Sequence, residues 1–374
     1  MRGLRVAICF GTFPPERNGG ADFVARFAPA LAAHGCDVTV ITSAAGGPAV
    51  QAVAPGVTVH RLVDDWSLPG GRASLRRVNA TLDEVEAQIV HVFFPDSVIA
   101  RRYQLPALIG LGHCPLVSTY WSLGVGRRSP MRLRLASLAL LLRSTVVSSP
   151  DPAYIAALRR LAAGTKAVRW LPVGSNFEPA TRRRAAGSVR LGFFGQLDFT
   201  RGVDTLFEAL AHLERPDVKL VMLGSAGRPE RYGGDPEFAR LLRMPEQLGI
   251  ANQVEWTGFL DDDEVPQRLA DLDVCVLPYR RNSLGRSALA AALGAGIPVV
   301  LGGRADRIEP LVAGRDVALV APDDAAGLAA AIERLVDDGS ERKRLAAAAL
   351  RASEHFAWPR IAERALAIYR EALA

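Results

Sequence analysis

The chain has 374 residues, of which 49% are hydrophobic, and this length and composition predict two domains with sizeable cores. The net charge of +6 is uneven, because residues 1–170 carry 19 basic and 10 acidic side chains and the remainder carries 26 and 29. A basic N-terminal half favours an anionic partner, either a phosphorylated substrate or an anionic lipid surface, with general use of surface arginine as the alternative. The basic residues are not interleaved with aromatic ones, which argues against nucleic acid.

The four cysteines, Cys9, Cys36, Cys114 and Cys275, are isolated in the sequence, and no CxxC pair occurs. This pattern predicts reduced thiols in the cytosol, and neither a disulfide framework nor a zinc site. The sequence opens without the features of a signal peptide, and its most lipid-like run, 135–142, is too short to span a bilayer. We therefore expect a cytoplasmic protein, and the alanine- and arginine-rich composition is typical of a high-GC bacterium.

The first 42 residues read as strand, loop, helix and strand. The apolar strands are 4–10 and 38–42, the loop rich in proline and glycine is 11–22, and the helix is 23–34. Gly19 and Gly20 lie in the loop shortly before this helix, at its entry, where glycine permits close backbone approach and the helix N-terminus favours an anion. We interpret them as a contact to a phosphate or a sugar, with an ordinary loop as the alternative.

Further strands are predicted at 57–62, 88–94, 116–120 and 144–149, and helices at 72–87, 127–143 and 152–163. The carboxyl ends of parallel strands line the ligand crevice of a doubly wound sheet. His91, Asp96, Tyr120 and Trp121 are therefore candidates for ligand contacts, with core packing as the alternative for the three ring-bearing residues. The helix 127–143, basic at its start and apolar later, predicts either a core helix with a charged rim or a helix on an anionic membrane surface.

A polar loop at 174–187 separates the two halves, and a new series of strands and helices begins at residue 188. The strands are 188–195, 219–224, 254–257, 274–277, 298–301 and 318–320, and the helices are 203–213, 236–248, 263–270 and 325–338. Pro245 is expected to break or kink the helix in which it lies. The expected fold class is α/β, with two doubly wound, Rossmann-like domains, 1–178 and 188–355, and an inter-domain cleft.

The segment 282–300, NSLGRSALAAALGAGIPVV, follows an apolar strand and leads through a small polar loop into a helix. The free backbone N–H groups of the first helical turn favour an anion, and Arg286 adds a positive charge at the same place. We interpret the segment as the seat of a phosphate or diphosphate, with an ordinary crossover and a solvated arginine as the alternative.

Several stretches resemble the GT-B glycosyltransferases of family 4, the group 1 transferases. They are PPERNGGADFVARFAPALAAHGCDVTVIT, FFGQLDFTRGVDTLFEAL, VEWTGFLDDDEVPQRLADLDVCVLPY and the terminal FAWPRIAERALAIYREALA. The resemblance implies transfer of a sugar, with retention and without a metal, from a nucleotide donor on the C-terminal domain to an acceptor on the N-terminal one. The last helix, 356–374, would pack back on the N-terminal domain.

By position in these motifs, the resemblance implies that Arg201 and Arg286 neutralise the departing diphosphate and that Gln196 donates a hydrogen bond to it. The implied donor-binding residues are Gly19, Gly20, Gly258, Phe259, Leu260, Ser283 and Ser287. The implied acceptor-binding residues are His91, Asp96, Tyr120 and Trp121. No cofactor is implied besides the nucleotide-sugar cosubstrate, for which a UDP-sugar is the first choice, and the acceptor is a small molecule, a lipid-linked molecule or a glycan.

The chain departs from the family pattern at several positions. Gln196 stands where the family has arginine, Trp121 where it has a histidine, and Ser283 and Ala291 where it has paired glutamates. The loop SLGRS resembles a variant branch that also lacks the glutamates. Two alternatives stay open: altered chemistry, as in a pseudo-glycosyltransferase or a nucleotide-sugar epimerase, and a non-catalytic protein that binds a sugar nucleotide. A dinucleotide-dependent oxidoreductase is disfavoured, because neither glycine loop has the dinucleotide spacing.

Overall fold

The computed structural model of the chain describes most of the sequence. The described residues are 3–16, 18–67, 70–94, 105–110, 114–121, 131–181, 189–195, 197, 199–224, 236–258, 260–261, 263–281 and 284–374. The chain divides into two compact units: the first is formed by Met1–Gly174 together with Ala357–Ala374, and the second by Ser175–Phe356. The sequence placed the corresponding divisions at 178–188 and at 355–356.

Strands and helices alternate through both units. Among the described residues the strands are β1 (Arg5–Cys9), β2 (Asp37–Ser43), β3 (Val50–Ala54), β4 (Val57–Val63), β5 (Ile89–Phe94), β6 (Leu116–Tyr120), β7 (Val146–Ser149), β8 (Ala167–Trp170), β9 (Arg190–Phe194), β10 (Lys219–Leu223), β11 (Val254–Gly258), β12 (Val274–Leu277), β13 (Val299–Gly302) and β14 (Ala318–Val320). The helices are α1 (Gly19–Ala33), α2 (Arg72–Glu84), α3 (Met131–Arg143), α4 (Pro152–Leu161), α5 (Val203–His212), α6 (Pro236–Gln247), α7 (Glu264–Ala270), α8 (Ser287–Gly294), α9 (Ala325–Asp337), α10 (Gly339–Ser353) and α11 (Trp358–Leu373).

Each unit is built on one doubly wound sheet. The sheet of the first unit has the strand order β3-β4-β2-β1-β5-β6-β7-β8, in which β3 alone pairs in the antiparallel sense. The sheet of the second unit, β11-β10-β9-β12-β13-β14, is parallel throughout. Numbered from β9, this order is 3-2-1-4-5-6, the order of the dinucleotide-binding Rossmann fold. The predicted α/β class, with two doubly wound, Rossmann-like domains, is confirmed.

Alternate side chains of β1 pack against helices on the two faces of the first sheet. Val6 and Ile8 belong to a buried cluster with residues of α1 and α11. Ala7 and Cys9 belong to a different cluster, with residues of α2, α3 and α4. Because successive side chains of a strand point to opposite faces, helices cover this sheet on both sides. Burial on both faces explains why the strand reads as a continuous apolar run.

The C-terminal helix α11 belongs to the first unit and packs along α1. Its buried stripe consists of Ile361, Ala362, Ala365, Ile368, Tyr369 and Ala372. At its start the Trp358 ring lies 5.3 Å from the Phe23 ring, between centroids. A Cβ at residue 174 would lie 2.8 Å from that indole, so only glycine at this position permits the packing. At the other end, Arg169 Nε donates to Glu371 Oε2 at 2.9 Å.

A buried polar network also joins α11 to the centre of the sheet. His91 of β5 is fully buried, and its Nδ1 lies 2.7 Å from the Tyr369 hydroxyl and its Nε2 2.7 Å from Thr119 Oγ1. Burial lowers the pKa of His91 to about 3, so the ring is neutral and one nitrogen donates while the other accepts. The prediction that His91 contacts an acceptor is therefore wrong, because both ring nitrogens are engaged in the core.

The structure differs from the predicted elements in places that have physical reasons. The helix α1 begins four residues earlier than predicted, because Asn18 caps it. The edge strand β3, VQAVA, was not predicted; it is almost wholly exposed and its apolar residues do not alternate with polar ones. The helix α6 runs through Pro245 and ends two residues later, at Gln247. The unpredicted helix α10 begins directly after α9, because Asp338 Oδ1 accepts from the N–H groups of Ser340 and Glu341 and restarts the chain.

The burial of neutral His91 predicts a pH dependence of stability. The pKa of His91 is about 3 in the folded state and its ordinary value is 6.5, so between these pH values the unfolded chain binds the proton and the folded chain does not. The stabilisation is fully present above pH 6.5 and is lost as the pH falls toward 3, by up to about 1.4 kcal/mol per pH unit.

Urea unfolding of the wild type and of His91→Asn, each at several pH values between 7 and 5, measures this effect. We expect the wild type to lose unfolding free energy more steeply toward acid than the variant, which is less stable at neutral pH. Equal slopes for the two proteins would contradict a buried neutral His91.

Candidate active site

The strands β9 and β12 are neighbours in the second sheet, and the chain continues from them in opposite directions, to β10 and to β13. Such a reversal of strand order leaves a crevice outside the carboxyl ends of the strands, where doubly wound sheets bind ligands. Arg201 follows β9 and Arg286 follows β12. The topology therefore brings the two arginines that the sequence singled out to the same edge of the sheet.

The guanidinium group of Arg201 lies directly over the end of β9. A Cβ added to Gly195, whose φ is 138°, would lie 2.3 Å from Arg201 Nη1. The next residue, Gly202, has a φ of 65° and caps α5 in the left-handed conformation. A Cβ there would lie 2.1 Å from the Pro278 carbonyl oxygen, at the end of β12. Because Gly195 and Gly202 have no Cβ, the segment that carries Arg201 can lie against the ends of both β9 and β12.

The guanidinium group of Arg286 is held by the same segment. Arg286 is the N-cap residue of α8, and its Nη2 donates to Thr200 Oγ1 at 2.9 Å. Its Cζ lies 5.2 Å from the centroid of the Tyr279 ring, which is fully buried. A cation over an aromatic face is stabilised by the ring quadrupole. Thr200 directly precedes Arg201 in the chain. The guanidinium group of Arg286 is therefore bound to the short segment that carries Arg201.

A third arginine, which sequence reasoning missed, fixes the loop after β12. The backbone N–H of Arg280 donates to the Thr200 carbonyl oxygen at 2.9 Å. Its guanidinium group donates to both carboxylate oxygens of Asp204, at 2.9 and 3.0 Å, and also pairs with Asp323. Burial raises the pKa of Asp204, but the hydrogen bonds and the charge of Arg280 outweigh it and leave the pKa below its usual value. This ion pair ties α5 to the loop of Arg286.

The helix α8 begins after Arg286 with one half-buried residue, Ser287, and is buried from the second residue, Ala288, onward to Leu293. Ala291, one of the two positions at which the family has glutamate, is 5% exposed. Neither Ser283 nor Gln196 is among the described residues, so their predicted roles stay predictions.

The carboxyl ends of β10 and β11 carry two glycines beside open space. Gly224 and Gly258 have φ values of 72° and 69°, and a Cβ at either would meet no atom of the described residues within 4 Å. The hydroxyl of Thr257 accepts from the N–H of Gly224 at 3.2 Å and links the two strand ends. Leu260 is buried, and Phe259 lies outside the described residues. The glycines are required here for backbone conformation and leave room next to the strands.

The glycine pair at the start of α1 has a structural explanation in the first unit. Asn18 Oδ1 accepts from the N–H groups of Gly20 and Ala21, at 3.0 and 2.9 Å. A Cβ on Gly20 would lie 2.5 Å from the Phe10 ring. The Gly20 N–H is thus used for the cap, and the predicted contact of Gly19 and Gly20 to a phosphate or a sugar stays a prediction. Gly19 is exposed, and no atom of the described part of the chain lies within 4 Å of a Cβ position there.

The aromatic pair at the end of β6 divides between the core and the surface. Tyr120 is buried and its hydroxyl donates to the Ser137 carbonyl oxygen at 2.8 Å, so its predicted acceptor contact is wrong. Trp121 is half-buried, and its indole packs edge-on against Phe10 and Phe23, with centroids 5.2 and 5.6 Å apart. Asp96 lies outside the described residues. Of the acceptor-side predictions, Trp121 therefore remains a partly accessible candidate.

Two family profiles match the chain, one for each half. Residues 177–352 match the glycosyl transferases group 1, and residues 17–172 match Glycosyltransferase Family 4. The chain belongs to these group 1, family 4 glycosyltransferases, which confirms the resemblance read from its motifs. This membership assigns it to the transferase class of enzymes.

Individual proteins align with nearly the whole chain. Glycogen synthase of Mycobacterium tuberculosis is 27% identical over 98% of this chain and 94% of its own length. The structure of sucrose-phosphate synthase from Thermosynechococcus elongatus covers 98% of both chains with a TM-score of 0.79 and 21% identity. Anabaena HepE in complex with UDP-glucose covers 97% of this chain and 98% of its own, with a TM-score of 0.74 and 17% identity. The two structural likenesses show the fold.

The glycine contacts predict a difference between two substitutions of the same kind. Gly202→Ala places a Cβ against a backbone oxygen at a positive φ, so we expect it to lower the unfolding free energy by more than about 2 kcal/mol. Gly258→Ala has a similar φ but open space, so we expect a loss of only about 1 kcal/mol.

Chemical denaturation of both variants, followed by circular dichroism, measures these losses. Equal losses would show that the backbone at Gly202 does not lie against Pro278 as closely as described.

Proposed function

We propose that the chain transfers a glycosyl group from a nucleoside-diphosphate sugar, a UDP-sugar by first choice, to an acceptor hydroxyl. The observation that carries this proposal is the convergence of Arg201 and Arg286 at the adjacent ends of β9 and β12, joined through Thr200. Negative charge grows on the diphosphate as its bond to the sugar breaks. Fixed cations aimed at that charge stabilise the transition state more than the ground state.

The two guanidinium groups have the chemistry that a departing diphosphate needs. An arginine presents several donors in a planar fork that matches phosphate oxygens, and it keeps its charge at any physiological pH. The N-terminus of α8, which begins directly after Arg286, adds backbone N–H groups and the positive end of the helix dipole. We propose that Ser287 donates to the same phosphate and that this charge stabilisation operates without a metal ion.

The nucleoside is proposed to lie along β10 and β11 in the second unit. The strand ends there carry Gly224 and Gly258 beside open space, and Leu260 supplies apolar surface. Backbone groups beside glycines can approach a base or ribose without side-chain obstruction. The presence of UDP-glucose in the related structure of Anabaena HepE supports this choice of donor.

The acceptor is proposed to bind the first unit near Trp121. The half-buried indole at the end of β6 offers an aromatic edge at the carboxyl side of that sheet, and an aromatic face or edge suits the C–H surface of a sugar or cyclitol. The acceptor class remains a small molecule, a lipid-linked molecule or a glycan. We further propose that transfer retains the anomeric configuration, which proton NMR of the product tests directly.

Altered chemistry is a second candidate, favoured by the burial of Ala291. Relatives with the paired acids have a glutamate at this position. In this chain α8 buries the methyl group of Ala291 there instead. A pseudo-glycosyltransferase, a nucleotide-sugar epimerase and a non-catalytic binding protein all tolerate this change. Release of UDP only in the presence of an acceptor, and the linkage in the product, distinguish transfer from these alternatives.

A thermal-shift screen of nucleotides and nucleotide sugars is the first test of this function. A ligand at a hundred times its dissociation constant adds about 2.7 kcal/mol of stability, which is a measurable shift. We expect UDP and UDP-sugars to stabilise the protein, and uridine to stabilise it much less. Absence of stabilisation by any nucleoside diphosphate would contradict the proposal.

Substitution of the two arginines tests their role in the transfer step. We expect Arg201→Ala and Arg286→Ala each to lower kcat about 10²-fold to 10³-fold, because each removes a cation from the leaving group. Thr200→Val keeps both charges but removes the hydroxyl that holds Arg286, so a smaller loss is expected.

The matched control is Arg351→Ala, which removes the same charge from an exposed position of α10 in the second unit. Its UDP release should equal that of the wild type. A control that lost as much activity as Arg286→Ala would show that net charge, and not position, is responsible.

A further inference from the structure

The helix α3 of the first unit is apolar on two opposite faces. Its inward residues, buried in the core, are Leu133, Ala136, Ser137, Leu140 and Leu141. Its outward residues are Met131, Leu135, Leu138 and Leu142, which are 65%, 59%, 39% and 73% exposed. These four, spaced at i, i+4, i+7 and i+11, form a single line about 16 Å long, which we call the outer stripe. Single exposed leucines are common on proteins, but a continuous line of them marks an interaction surface.

Arginines flank the outer stripe on both sides. At 100° per residue, Arg132 and Arg143 project on one side of the line and Arg134 on the other. Arg132 is exposed, and the other two are half-buried. The helix contains no acidic residue, and the sequence from 101 to 150 contains seven arginines and no aspartate or glutamate. On α3 itself, the apolar outer stripe is therefore flanked by positive charge and by no acidic side chain.

We propose that the outer stripe of α3 docks the first unit on the surface of an anionic lipid bilayer. Methionine and leucine side chains enter the boundary between headgroups and acyl chains, while the flanking arginines contact lipid phosphates. Each basic side chain near an anionic surface adds to the attraction. A helix of thirteen residues is shorter than the hydrocarbon core is thick, so α3 lies in the plane of the interface. Among the described residues, no helix is long and apolar enough to cross a membrane.

The charges favour a lipid surface over a second copy of the chain. In a two-fold dimer through this face, α3 would meet α3. The three arginines of one helix would then lie near the same three of the other, with no acidic residue on either helix to offset them. An anionic bilayer has the opposite charge and accepts the apolar side chains as well.

Co-sedimentation with lipid vesicles tests this docking. The wild type is mixed at low salt with vesicles of phosphatidylcholine alone, or with equal parts of phosphatidylglycerol and phosphatidylcholine. We expect binding to the anionic vesicles that weakens as salt is added, and little binding to phosphatidylcholine alone. The double variant Leu135→Glu, Leu142→Glu should bind anionic vesicles at least about tenfold more weakly. It removes two of the four apolar side chains of the outer stripe, and its glutamates are repelled by the anionic lipids.

Two further variants make the result specific. Arg132→Glu keeps the outer stripe and reverses a flanking charge, so it should weaken anionic binding and leave the weak binding to phosphatidylcholine unchanged. Leu350→Glu changes a leucine of α10 that is 52% exposed in the second unit, and it should bind vesicles as the wild type does. Circular dichroism of each variant establishes that the fold is retained.

Several results would overturn the proposal. They are absence of wild-type binding to anionic vesicles, equal binding to both lipid compositions, or unchanged binding by the folded double variant. A dimer in light scattering that the double variant abolishes, without vesicle binding by the wild type, would identify a second copy as the occupant. Vesicle binding is measured without donor or acceptor, so its outcome is independent of sugar transfer.

Discussion

The close approach of backbone segments at the carboxyl ends of β9, β12 and β13 is the constraint on which the candidate site depends. A Cβ at Gly202 or at Gly302 would lie 2.1 or 2.5 Å from backbone atoms of Pro278. These contacts hold the segment with Thr200 against the loop that leads to Arg286, whose guanidinium group donates to the Thr200 hydroxyl. The cations are therefore positioned by the backbone before any ligand arrives, which is the condition for electrostatic stabilisation of a leaving group.

The corresponding edge of the first unit is filled differently, although its sheet is wound in the same way. Aromatic rings of Phe10, Phe23 and Trp121 pack together there, and Gly20 is glycine to make room for them. The donors at the start of α1 are partly used by the Asn18 cap. Phe10 and Phe23 are buried and Trp121 is half-buried, so the described residues at this edge of the first sheet differ in kind from the arginines at the same edge of the second.

Much of the fold was readable from the sequence, because strands buried on both faces give continuous apolar runs, as in β12. The sequence also indicated that Arg201 and Arg286 lie at the same edge of the second sheet. The strands that precede them and the glycines beside them can be recognised from a few neighbouring residues. Side-chain burial was not readable: His91 and Tyr120 follow the same strand pattern whether they face a ligand or a helix, and the partner Tyr369 lies 278 residues from His91. Arg280 was missed because its partner, Asp204, is also distant in sequence.

The central claim is that the arginines of the second unit hold a diphosphate, and calorimetric titration tests it most directly. UDP and UMP share the base and ribose and differ by one phosphate, so the ratio of their affinities isolates the contact at issue. We predict that the wild type binds UDP more tightly than UMP, and that the double variant Arg201→Ala, Arg286→Ala reduces this ratio about tenfold or more while UMP affinity changes little. An unchanged ratio in the variant, or equal affinities in the wild type, would contradict the account.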